Sequence, residues 1–164
     1  MGDLPAMSTV IRAAQPADVP AIEGIVAAAY GSYVGRMGRA PAPMTVDYAT
    51  LVATTDDVYV ATDDGVASDD PIGVLVLVDE PDHVFVDSVA VSPHHHGRGL
   101  GRALLDFAEK RARGRGLAEV RLYTNAAMTE NLSLYPHLGY TAVDRRVDDG
   151  FDRVYFVKTL PLAP

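Results

Sequence analysis

The chain has 164 residues, nearly half of them apolar, a formal net charge of -8 and no cysteine. Its length and apolar content suit one domain with its own core, and the missing cysteines exclude disulfides, thiolate-held metals and a thiol nucleophile. The acidic balance argues against a nucleic-acid partner, and no run nears the roughly 18 apolar residues of a membrane span. The first ten residues lack the basic-then-apolar pattern of a secretory signal, so the expected location is cytoplasmic.

Residues 1–8 read as an N-terminal tail and residues 9–164 as a single domain. A strand is predicted over 9–12. Within 17–30, Ala21, Ile22, Ile25, Val26 and Ala29 recur at helical spacing, and Gly31 is the expected stop. Three glycines and two prolines make 31–43 a predicted loop, after which Thr45 is placed to cap a helix running to residue 52. Residues 58–62 and 72–79 read as strands of a hairpin, the second almost wholly apolar, as in a strand buried on both faces. A strand over 84–91 leads to a helix over 99–113, whose Leu100, Ala103, Leu104, Phe107, Ala108 and Ala112 make one apolar stripe with arginines opposite. A strand over 120–124 follows, then a short helix over 129–138 stopped by Gly139. Strands over 140–147 and 153–160 flank an Asp-Asp-Gly turn. Consecutive strands without helices between them argue for antiparallel pairing. The strand-helix-strand unit over 84–124 needs a parallel pair. The expected fold class is α/β (α+β), a mixed and mostly antiparallel sheet of about seven strands with about four helices.

The chemistry concentrates in residues 87–140. Val89, Ala90 and Val91 end a strand, and His96-Gly97-Arg98-Gly99-Leu100-Gly101-Arg102 opens a helix through three alternating glycines. A helix N-terminus carries unpaired amides and partial positive charge. Glycines let backbone approach a phosphate, and Arg98 and Arg102 add charged donors. A dinucleotide fingerprint would need glycine at 102, and a P-loop would need Gly-Lys-Ser/Thr. A pyrophosphate loop of the coenzyme A type remains. The three adjacent histidines, His94 to His96, are poorly arranged to converge on one ion, so no metal is expected.

This segment resembles the acetyl-CoA loop of the Gcn5-related N-acetyltransferase (GNAT) superfamily. The family motif is Gln or Arg, two variable residues, Gly, any residue, then Gly or Ala. His96 stands here in the place of the usual Gln or Arg. A second resemblance lies in Leu134-Tyr135 followed by Gly139-Tyr140. It implies that Tyr135 protonates the departing coenzyme A thiolate and that Asn131, one helical turn earlier, contacts the coenzyme. The likeness further implies that the backbone of Val89, Ala90 and Val91 meets the pantetheine arm in a gap between two strands. Asp87, two residues before Val89, matches an acid that acts through water in many members. Pro136 disfavours a helical conformation at Tyr135, so a kink is expected there.

Residues 30–44 form the expected acceptor lid, with Tyr30, Tyr33 and Arg36 as substrate-binding candidates and Arg39 as a further carboxylate binder. The implied activity is direct acetyl transfer from acetyl-CoA to a primary amine of a small molecule or peptide. A coenzyme A-binding sensor without turnover is the alternative. Family habit also suggests a homodimer through the C-terminal hairpin.

Overall fold

A computed structural model describes residues 8–64 and 68–161. Its strands are β1 (Thr9–Ala13), β2 (Val58–Asp63), β3 (Gly73–Asp79), β4 (Val84–Val91), β5 (Glu119–Asn125), β6 (Thr141–Asp148) and β7 (Phe151–Thr159). They form one sheet in the order β1-β2-β3-β4-β5-β7-β6. Every neighbouring pair is antiparallel except β4 with β5. The helices are α1 (Val19–Tyr30), α2 (Tyr33–Met37), α3 (Tyr48–Thr54), α4 (Leu100–Gly114) and α5 (Thr129–His137).

The mixed sheet and the order of elements match expectation, with differences between α1 and α3. Residues 31–43 are not all loop. Gly31 stays right-handed, so the chain turns directly into α2, and Gly38 supplies the left-handed stop at φ 72°. Thr45 does not cap α3, because its hydroxyl turns back onto the Ala42 carbonyl at 2.8 Å. Asp47 caps instead, accepting from the Thr50 amide at 3.1 Å. Among the described residues the α-helices therefore number five.

Apolar side chains cover both faces of the sheet. On one face α4 lays down Leu100, Leu104, Leu105, Ala108 and Ala112 with Leu75, Leu77, Val86, Leu122 and Phe156. On the other, α1 and α3 pack Ile22, Ile25, Val26 and Tyr48 over Val58, Val60, Val74, Val76 and Ala90. A fully buried leucine such as Leu104 contributes on the order of 2–3 kcal/mol. Asp149 and Gly150 both take positive φ, 51° and 80°, the pairing that a tight turn between twisted strands needs.

One buried charge ties β1 to the start of α1. Arg12 grips Asp18 through two hydrogen bonds, 2.7 and 3.0 Å, and Asp18 also accepts from the Gln15 amide at 2.8 Å. The Arg12 bonds hold the Asp18 carboxyl below the usual carboxylate range, against the opposing effect of burial. Its stabilisation is thus complete above about pH 4, the unfolded value, and fades as pH falls through the lowered folded value. Asp18→Asn should cost about 2–3 kcal/mol at pH 7. Denaturant titrations should find that deficit smaller at pH 3, whereas an equal deficit at both pH values would contradict the assignment.

Candidate active site

The site begins as a defect in pairing. β4 and β5 are joined only over Val84–Val120, Phe85–Arg121 and Val86–Leu122. Beyond Val86 the two strands part. On its other side β4 carries a bulge. The register with β3 passes from Val76–Ser88 to Leu77–Val86 and leaves Asp87 unmatched. A bulge bends its strand and re-aims the extra side chain. Asp87 therefore lines an open cleft at the separated strands.

The gap admits residues from both faces of the sheet. Tyr135 reaches it from the α4 side, where its ring packs on Tyr140 and Phe156 at centroid distances of 5.8 and 5.5 Å. Burial pushes the Tyr135 phenol well above its ordinary range, so it keeps its proton. Its hydroxyl has no hydrogen-bond partner among the described residues. Asp87, Tyr123 and Arg153 line the cleft too. Burial raises the Asp87 carboxyl, and the charge of Arg153 opposes that rise.

Pro136 lies inside α5 without breaking it at Tyr135. The helix runs on to His137 and closes in a tight C-terminal cap on the Tyr135 and Pro136 carbonyls. Tyr140 N–H bonds the Tyr135 carbonyl at 3.0 Å and Gly139 N–H bonds that of Pro136 at 3.1 Å, with Gly139 at φ 94°. This cap fixes the helix turn that carries Tyr135.

The glycine loop leaves β4 through a turn at Pro93–His95 and enters α4. Gly97 and Gly99 have φ of 77° and 78°, and a Cβ at either would meet open space. Conformation therefore demands glycine at both positions, and packing does not. No side chain caps α4, and Ala103 N–H is bonded to Gly99 at 3.0 Å. The amides before Ala103 face outward at the positive end of the helix. Arg98 and Arg102 are exposed and form no ion pair among the described residues. Further along α4, Arg111 pairs with Asp79 and Arg113 with Glu109. His96 brings Nε2 to 3.3 Å from the Val91 carbonyl and straps the loop to the end of β4.

Of the remaining predicted residues, Tyr30, Val89 and Asn131 also line the cleft. Tyr30 donates to the Val89 carbonyl at 2.8 Å and so braces the β4 backbone. Asn131 donates from Nδ2 to Thr124 Oγ1 on β5 at 3.1 Å. Ala90 points its side chain into the α1 core and Val91 ends the strand. Tyr33 and Arg36 lie outside the cleft lining, because both bond Glu130 on α5, Arg36 at 2.7 Å. Those bonds, Tyr33 first, hold the Glu130 carboxyl down to about 2. α2 is thereby latched to α5. The sequence reading missed Arg153, Tyr123 and Phe151, which the β5–β7 register brings to the cleft. Among the described residues, no group of three or more acids and histidines converges to hold a metal, and no helix is long and apolar enough to cross a membrane.

A mixed sheet split beside a glycine-lined helix N-terminus is an architecture for laying a phosphate-bearing, amide-bearing chain against an open strand edge. Comparison with known proteins agrees. The model of the Acetyltransferase (GNAT) family matches residues 26–140, and the chain belongs to that family. It is 38% identical over 64 residues to N-alpha-acetyltransferase 80 of Mus musculus, covering 39% of this chain and 19% of that protein. It is 44% identical over 55 residues to mycothiol acetyltransferase of Beutenbergia cavernae, covering 34% of this chain and 18% of that protein. These matches span about a fifth of either relative's length. The fold superposes on PaiA N-acetyltransferase of Thermoplasma acidophilum in complex with coenzyme A. The TM-score is 0.73 at 18% identity, covering 93% of this chain and 99% of that one.

Proposed function

We propose that this chain transfers an acetyl group from acetyl-CoA to a primary amine of a small molecule or peptide. The parting of β4 from β5 after Val86, with Tyr135 lining the gap, carries this reading. The residues present fit acetyl-CoA, which supplies the activated thioester when bound. β5 leaves the β4 edge from Val89 to Val91 unpaired and open to the amide-bearing arm, with the Val89 carbonyl already braced by Tyr30. The amides of Gly97 to Arg102, with Arg98 and Arg102, hold the pyrophosphate. Asn131, fixed to β5 through Thr124, faces the same gap.

Two residues move protons. Tyr135 protonates the thiolate sulfur as the carbon–sulfur bond breaks. In water that transfer from phenol to thiolate is uphill by about 2 kcal/mol, the gap between reference values near 10 and 8.5. Burial in the cleft disfavours the thiolate as it disfavours the phenolate, so the two values rise together. Asp87 orients the amine and receives, through water, the proton given up as the carbon–nitrogen bond forms. Its raised value makes it a stronger base than a surface carboxylate.

Asp87 acts only when ionised, so the rate should fall as pH drops through its raised value. Asp87→Asn should lower kcat/KM by about 10- to 100-fold near neutral pH and flatten that acid limb. A pH–rate profile with an unchanged acid limb would remove Asp87 from proton transfer. The function itself is tested by following thiol release from acetyl-CoA across amines, amino acids, polyamines and aminoglycosides. Turnover of at least one amine is expected. Binding without turnover of any amine would instead mark a coenzyme A-binding sensor.

A further inference from the structure

Among the described residues that line the cleft, two carry charge, Asp87 and Arg153, one of each sign. Arg153 is only 8% exposed, yet its guanidinium has no hydrogen-bond partner among the described residues. Its ion contact, Asp148, is 3.6 Å away, nearly half exposed, and already accepts from the Tyr155 hydroxyl at 2.9 Å. The guanidinium is held in place by rings instead, 4.2 Å from the Tyr123 centroid and 5.0 Å from that of Phe151. A buried, ring-clamped fork with free donors is built to receive a planar anion. The two arginines expected to do this are engaged elsewhere. Arg36 bonds Glu130 at 2.7 Å, and Arg39 donates to the Asp149 carbonyl at 3.1 Å while stacking on Phe151.

Resting on acetyl transfer at this cleft, we propose that the acceptor is a small amine bearing a carboxylate, an amino-acid-like compound, whose carboxylate is bound by Arg153 while Asp87 faces its amine. β4 and β7 flank β5, and the two side chains line one cleft close enough for the Arg153 charge to act on the Asp87 carboxyl, so a compact zwitterion can span the two charges. Tyr30, Met37 and the segment 41–43 wall the cleft and favour a small acceptor. A polyamine would set one of its cations against Arg153.

The test presents the full chain and acetyl-CoA with each amino acid beside its own carboxamide, following thiol release. The parent should prefer the free acid of its best acceptor by about 10- to 100-fold in kcat/KM, the worth of a charge-assisted pair. Arg153→Gln should abolish that preference by slowing the acid alone, and Arg153→Lys should retain part of it. If the glutamine variant does not fold, the lysine variant decides by the same acid-to-carboxamide ratio. Equal use of acid and carboxamide by the parent, or equal losses on both, would overturn the inference and reduce Arg153 to a counter-charge for Asp87. Turnover of polyamines or aminoglycosides but of no carboxylate-bearing amine would also overturn it, leaving acetyl transfer intact. Failure on every amine would remove acetyl transfer itself.

Discussion

Tyr135→Phe should lower turnover by about 100- to 10,000-fold, the range for losing a positioned general acid, with acetyl-CoA affinity and stability close to those of the parent. Removing this hydroxyl breaks no hydrogen bond among the described residues. The ring contacts with Tyr140 and Phe156 depend on the aromatic carbon frame, which phenylalanine keeps. The α5 cap at Gly139 and Tyr140 uses backbone groups alone and is untouched. The variant therefore removes the proposed proton donor and nothing else. Single-turnover kinetics beside calorimetric affinity for acetyl-CoA would measure the separation. Parent-like turnover in the phenylalanine variant would take Tyr135 out of the reaction.

Gly99→Asp should weaken acetyl-CoA binding by at least about 100-fold. At an ordinary helix start aspartate is a favourable cap. Here the cap residue sits at φ 78°, where a side chain is strained. The new carboxylate would also compete for the outward amides and for Arg98 and Arg102. Both effects fall on the anion site, since a Cβ at Gly99 meets no other atom within 4 Å. Gly99→Ala separates them, carrying the strain without the charge, and should fall between parent and aspartate variant. Unchanged affinity of the aspartate variant in calorimetry would contradict the loop's role.

The strand, glycine loop and helix over residues 84–114 were largely legible in the sequence because their signals are local. Val84–Val91 is rich in β-branched residues, and glycine at 97 and 99 reports a left-handed backbone that few other residues adopt. Gly139 marked the end of α5 for the same reason. The lid was less legible. Asp47 and Thr45 are both capping types two residues apart, and only the turn at Ala42–Thr45 decides which hydroxyl or carboxylate is free. The β7 side of the cleft was hidden for a different reason. Arg153 reaches the cleft because β7 pairs with β5 so that Arg153 opposes Asn125 and Tyr155 opposes Tyr123. That register is a long-range property with no signature in residues 151–159. The Asp87 bulge is likewise invisible until β3 is aligned beside β4. Arg36, prominent in the sequence as a loop arginine, is spent on Glu130, a residue 94 positions away.

The central claim, that the split between β4 and β5 receives acetyl-CoA along β4 and onto the start of α4, is tested most directly by backbone amide NMR. Titrating acetyl-CoA into the ¹⁵N-labelled full chain should shift the amides of Val89 to Val91 and of Gly97 to Arg102 together, with one saturation curve. Saturable shifts confined to other parts of the sheet, or no shift in either segment at saturating acetyl-CoA, would contradict it.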